Sequence, residues 1–118
     1  MSFVLSEDEQ MMRDSARGFF GEAAPVSALR KLRDDKDPIG FSKELWSSMA
    51  EMGFCGVLVP EDHGGVDLGY AAAGLILEEM GRHLTSSPFI PTSVLAATAF
   101  NLSGTDAHRT VPSSDRRP

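Results

Sequence analysis

The amino-acid sequence predicts an all-α protein, a bundle of about five helices. Three observations carry that reading. A capping box at Ser6 opens a long stretch whose apolar residues recur at helical intervals. Two further amphipathic helical patterns are joined by a short apolar run and a glycine-rich corner, residues 53–65. The last long element is apolar on nearly every side, as a buried helix is. At 118 residues the chain is one domain, able to bury roughly two-thirds of its unfolded surface around a single core.

The first helix starts at Ser6, whose hydroxyl can cap free backbone N–H groups while Glu9 reaches back to the cap. Glu7, Asp8 and Glu9 suit the positive end of the helix dipole. Met12, Ala16, Phe19, Phe20 and Ala23 then share one face. Pro25 disfavours helical geometry at Ala24 and ends the element. A short second helix follows over 27–33, with Val26, Leu29 and Leu32 on one side. Charge, proline and glycine make residues 34–40 a loop.

A third helix covers about 42–52, where Phe41, Leu45, Met49 and Met52 form a stripe with Trp46 at its edge. Gly53 is placed to end it, because glycine enters the left-handed region without strain. Residues 54–59 are short, apolar and closed by Pro60, which predicts an extended, buried segment. Gly64 and Gly65 then let the chain turn. The fourth helix runs from about Leu68 to His83, with Leu68, Ala72, Leu75, Ile76 and Met80 on its buried stripe. Small residues 71–74 thin its first turns and allow another backbone to approach. The last helix, about 92–102, carries Val94, Leu95, Ala96, Ala97, Ala99, Phe100 and Leu102. It is expected to be the central helix of the bundle, or the one that covers a partner domain.

Composition excludes several functions. The 42% apolar and 24% charged content is that of an ordinary globular domain. A formal net charge of −6 argues against nucleic acid, which demands a basic face. No run reaches the ~20 apolar residues of a membrane span, so a cytoplasmic chain is expected. Cys55 is the single cysteine, so no internal disulfide forms, and its apolar surroundings predict a buried, inert thiol.

The chemistry-bearing residues do not converge. His63, His83 and His108 have no ligand-like spacing, so no metal site is expected. Glu61 and Asp62 read as a solvated turn, and Glu78 with Arg82 as an i,i+4 ion pair. Gly64, Gly65 and Gly69 do not make a phosphate-binding loop. No catalytic residue is assigned.

Six segments taken in order nonetheless form a pattern. They are the opening Leu5-Ser-Glu-Asp-Glu-Gln10, Glu44-Leu-Trp46 leading to Met52-Gly53, the corner 56–65, Gly69-Tyr70, Leu77-Glu-Glu-Met-Gly81 and Gly104-Thr-Asp-Ala107. None is specific alone, but their order and spacing are. Over residues 3–107 the chain resembles the N-terminal helical domain of the acyl-CoA dehydrogenase family of flavoenzymes. The stretch 81–90 looks most like bacterial branches that act on branched, aromatic or steroid-derived acyl-CoA.

The resemblance implies α,β-dehydrogenation of an acyl-CoA thioester. A base removes the α proton, FAD takes the β hydride, and an electron-transfer partner reoxidises the flavin. In the family the base belongs to the C-terminal part and the main flavin segments to a β-domain, neither of which has a counterpart here. This domain would supply part of the acyl pocket, at the start of the last long helix: Phe89, Ile90, Thr92 and Ser93. Phe89 and Ile90 also fit plain core packing, where burial stabilises each by ~1.5–3 kcal/mol without a ligand.

After Ala107 the chain departs from the family, and residues 108–118 lack apolar periodicity. A domain over 1–107 and an irregular tail over 108–118, read in a shifted frame, are expected. Two function classes follow. One is the N-terminal piece of an FAD-dependent acyl-CoA dehydrogenase, inactive alone or completed by a separate subunit. The other is a non-catalytic helical interaction module. A flavin oxidase or monooxygenase fragment is a near relative of the first. Without the β-domain, uncovered apolar surface predicts self-association.

Overall fold

The computed structural model describes residues 4–104. The expected tail, 108–118, and most of the segment 104–107 lie outside them. Among the described residues there are five α-helices, two short 3-10 turns, one π-helical segment and no strand. The all-α expectation holds.

Helix α1 spans Glu7–Ala23. Its capping box is formed: the Glu9 amide donates to Ser6 Oγ at 3.1 Å, and the Ser6 amide donates to Glu9 Oε1 at 2.9 Å. Ala16 and Phe20 are buried, with Met12 and Phe19 packed beside them. Ala23, expected on this face, is exposed, and Ala24 takes the next core position. Helix α2, Val26–Asp34, buries no residue completely and lays Val26, Leu29 and Leu32 half-buried along the bundle. Helix α3, Lys43–Glu51, is capped by Ser42 Oγ, which accepts from the Leu45 amide at 3.1 Å, and it buries Met49.

Gly53 ends this unit at φ 86°, where a side chain would be strained. The next segment corrects an expectation. Residues 54–59 are buried, but they are not extended. Phe54–Gly56 forms a 3-10 turn, and the Val57 and Val59 amides donate to the carbonyls three residues back at 3.2 and 3.1 Å. The returning chain bonds back onto this segment: the Val66, Asp67 and Leu68 amides donate to the Gly56, Val59 and Val57 carbonyls at 3.0, 3.1 and 2.9 Å. A buried backbone needs every such partner, and the doubled-back corner supplies them without a sheet. Gly65 makes the fold-back possible, since a Cβ there would run into the Val59 carbonyl.

Helix α4, Gly69–Arg82, is the centre of the bundle. It buries Ala72, Ala73, Ile76, Glu79 and Met80, while Leu75 is only half-buried, and α1 packs along it more extensively than any other helix pair meets. Small residues at Ala72 and Ala73 let the two backbones approach. An edge-and-stack cluster of Phe19, Phe20 and Phe54, with centroids 5.1–5.7 Å apart, ties α1 to the corner.

The last element also departs from expectation. It starts as a π-helical segment, Ile90–Ala96, and continues as α5, Ala97–Ser103. It is peripheral, not central. Leu95 is 62% exposed and Leu102 82%, because only the side bearing Phe89, Ser93, Val94 and Ala97 meets the core. No described helix is long and apolar enough to cross a membrane.

Candidate functional site

The four residues expected at an acyl pocket sit together at the start of the π-helical segment, and they divide by depth. Phe89 is fully buried in the core cluster, and Ser93 is 1% exposed. Ile90 is 50% exposed and Thr92 half-buried. The wider turn of a π-helix rotates successive side chains differently from an α-helix, and such segments concentrate at functional sites. Pro91 fits the first turn, where its missing N–H leaves no bond unmade. Pro91, Leu95, Ala99 and Leu102 then continue the outward face.

Three attachments hold this face in place. The Tyr70 hydroxyl and Thr98 Oγ1 lie 2.7 Å apart, linking the start of α4 to α5. Asn101 Nδ2 donates to the Leu58 carbonyl at 2.8 Å, anchoring α5 to the corner. Phe89, Val94 and Ala97 pack on the core beneath. Gly69-Tyr70, part of the sequence pattern, therefore has a mechanical role: the glycine takes φ 85° and opens α4, and the tyrosine braces the last helix.

Under the π-helical segment, Ser93 lies beside Cys55. Burial pushes the Cys55 thiol from 9.0 up to about 11, and the Ser93 hydroxyl pulls it less strongly the other way. The two approach without a fully formed bond, leaving Ser93 Oγ with no hydrogen-bond partner among the described residues. The thiol stays protonated at neutral pH, as an inert core group does. Residues 84–104 contain no charged side chain. This surface can shape an apolar ligand or a partner, and it holds no group to move a proton. It does not fit the pyrophosphate of a flavin, which needs cationic or backbone donors.

Other candidates fall into structural roles. Arg82 Nη2 donates to Glu78 Oε1 at 3.1 Å, the expected i,i+4 pair. Its neighbour Glu79, which the sequence places in the 77–81 segment without an ion-pair partner, is 2% exposed. Arg17 of α1 reaches its Oε1 with Nε and Nη2 at 3.2 Å, and Arg82 Nε lies 3.4 Å from the same oxygen. His63 Nδ1 pairs with Asp62 at 3.0 Å within the corner turn. Among the described residues no group of three or more metal-ligating side chains converges.

The model of the acyl-CoA dehydrogenase N-terminal domain matches residues 6–111. The chain belongs to this family. It resembles one part of several longer proteins. It is 34% identical over 107 residues to a (2S)-methylsuccinyl-CoA dehydrogenase of Cereibacter sphaeroides, covering 89% of this chain and 19% of that one. It is 26% identical over 91 residues to the acyl-CoA dehydrogenase IpdE2 of Mycolicibacterium smegmatis, covering 76% and 29%. Among solved structures, a steroid ACAD variant, Tcur3481-Tcur3483, superposes with a TM-score of 0.76 at 34% identity, covering 87% of this chain and 28% of that one. A structure of the electron transferring flavoprotein of Acidaminococcus fermentans superposes with a TM-score of 0.66 at 28% identity, covering 93% and 28%. The chain thus spans under a third of the length of these relatives. The family is generally FAD-dependent and acts on acyl-CoA.

Proposed function

We propose that this chain supplies the helical-domain wall of the acyl pocket in a cytoplasmic FAD-dependent acyl-CoA dehydrogenase, and that it does not turn over substrate alone. The observation that supports the proposal is the π-helical segment Ile90–Ala96, whose outer face is apolar, uncharged and half-exposed. In this reading Ile90 and Thr92 touch the acyl chain, and Phe89 and Ser93 hold the segment from beneath. The domain ends near residue 107. A bound FAD would supply the hydride acceptor for the reaction. The flavin and the proton-abstracting base belong to other parts of the enzyme, in the same polypeptide or in a complementing subunit. The role of this domain is to orient the acyl chain and keep water from it.

Relatives named for methylsuccinyl- and benzylsuccinyl-CoA, together with the steroid ACAD, favour a branched, aromatic or alicyclic acyl group. A second reading, a non-catalytic interaction module, is favoured by the exposed stripe through Leu95 and Leu102. A domain replacement separates the two readings. Residues 6–104 are grafted into the steroid ACAD in place of its own helical domain, and acyl-CoA oxidation is followed with a dye acceptor. Ile90→Trp should then shift preference toward shorter acyl groups. An active graft whose acyl profile ignores Ile90→Trp removes Ile90 from the pocket.

A further inference from the structure

The side of the last helix turned away from the core forms a continuous apolar surface. Ile90, Pro91, Leu95, Ala99 and Leu102 are exposed along the π-helical segment and α5, with Leu95, Ala99 and Leu102 spaced to share one stripe. Thr98 falls three residues from Leu95 and four from Leu102, so it borders the same stripe. Its bond to the Tyr70 hydroxyl therefore brings an aromatic ring, 62% exposed, to the edge of the stripe. Together these side chains expose on the order of 600 Å² of mainly apolar area, as much as the largest patch of a typical soluble monomer.

Two properties of this face decide what can cover it. It can be dried without leaving its polar margin unpaired. Tyr70 and Thr98 bond each other, Asn101 bonds the Leu58 carbonyl, and Ser103 Oγ donates to the Ala99 carbonyl at 2.9 Å. A covering surface therefore has apolar area to supply and no hydrogen bonds. The charge of the molecule also lies elsewhere. The chain has a formal net charge of −6, yet residues 84–104 contain no charged side chain. Copies that met through their acidic faces would repel, whereas copies that meet here hold those faces apart. A charged partner, of either sign, finds no counter-charge on the stripe. A second copy of the same face meets both conditions, and a two-fold axis across the helix pairs the stripe with itself. The area suits weak pairing, since two copies would bury about 1,000 Å², the lower limit of a specific interface.

We propose that the chain forms a reversible, two-fold symmetric dimer through Tyr70, Ile90, Leu95, Ala99 and Leu102. The dimer covers the surface that an acyl chain or a complementing subunit would otherwise reach, so self-pairing and completion of the enzyme are alternatives. The proposal rests on exposure and charge, not on the acyl-pocket reading. Association is measured on the chain alone, without flavin or thioester, so its failure leaves that reading standing. Sedimentation velocity of the 118-residue chain, from about 5 to about 500 μM, should show monomer passing to dimer with a Kd on the order of 50 μM. Raising sodium chloride from about 20 to about 500 mM should tighten the dimer about threefold, because screening removes repulsion between the acidic bodies. Leu95→Glu and Leu102→Glu replace exposed side chains, and each should weaken the dimer about tenfold or more while circular dichroism stays unchanged. Ile39→Glu, equally exposed on the loop before α3, should leave the dimer as it is. The proposal is overturned by a monomer at the highest concentration, by association that grows past the dimer, or by weakening in salt. It is overturned equally by a dimer that survives both stripe variants or is lost in Ile39→Glu.

Discussion

Stripping both guanidiniums from Glu79 should cost more than the sum of stripping each. The carboxylate sits 2% exposed between α1 and α4, and Oε1 receives every cationic contact: Arg17 at 3.2 Å and Arg82 at 3.4 Å. Both arginines are half-exposed, which weakens each pair through solvent screening. Arg17→Ala leaves Arg82 in place and should cost about 1–2 kcal/mol, and Arg82→Ala about the same. With both gone, a buried carboxylate has no counter-charge, the situation that costs about 3–5 kcal/mol. The coupling is therefore expected at about 1 kcal/mol, within the range double-mutant cycles resolve. For a domain of this size the double variant should melt about 10–20 °C below the parent. Urea titrations of the four proteins, followed by circular dichroism and by Trp46 fluorescence, give the cycle. Strict additivity, or a double variant within about 1 kcal/mol of the parent, would refute the claim that Glu79 is a buried charge held by this pair.

Three further outcomes follow from single residues. Gly65→Ala drives a Cβ into the Val59 carbonyl and should destabilise the corner by about 2 kcal/mol or more, read as a lowered urea midpoint. Ser6→Ala removes the cap on α1 and should cost about 1 kcal/mol, with a matching fall in melting temperature. Cys55 titrates at about 11 in the folded chain against an ordinary 9.0. A raised pKa means stability is complete below pH 9 and lost as pH rises toward 11. The loss is on the order of 3 kcal/mol, and Cys55→Ala should flatten that limb of the stability profile.

Local features were legible in the sequence because their causes are local. Ser6 and Glu9 announce the start of α1, Ser42 caps α3, and Gly53 marks its exit, all within a few residues of what they control. The corner 54–59 was not legible as a 3-10 fold-back, since a short apolar run is equally a buried strand until its backbone partners are known. Glu79 hid for a different reason: Arg17 is 62 residues away in the chain, and no spacing rule reaches that far. Apolar abundance pointed to the last helix as the centre, whereas the small residues of α4 decided which helix α1 could approach. The same abundance leaves Leu95 and Leu102 facing outward. Phe89, Ile90, Thr92 and Ser93 are neighbours in the chain, and their division by depth follows from the π-helical turn, for which Pro91 is the only hint in the sequence.

The most direct test of the account is the flavin content and reactivity of the domain-replaced steroid ACAD carrying residues 6–104. The account predicts a yellow protein whose flavin is bleached by an acyl-CoA thioester under anaerobic conditions, while the 118-residue chain alone stays colourless with added FAD. A folded replacement that holds flavin but is not reduced by any acyl-CoA its parent accepts would contradict the assignment of this domain to the acyl pocket.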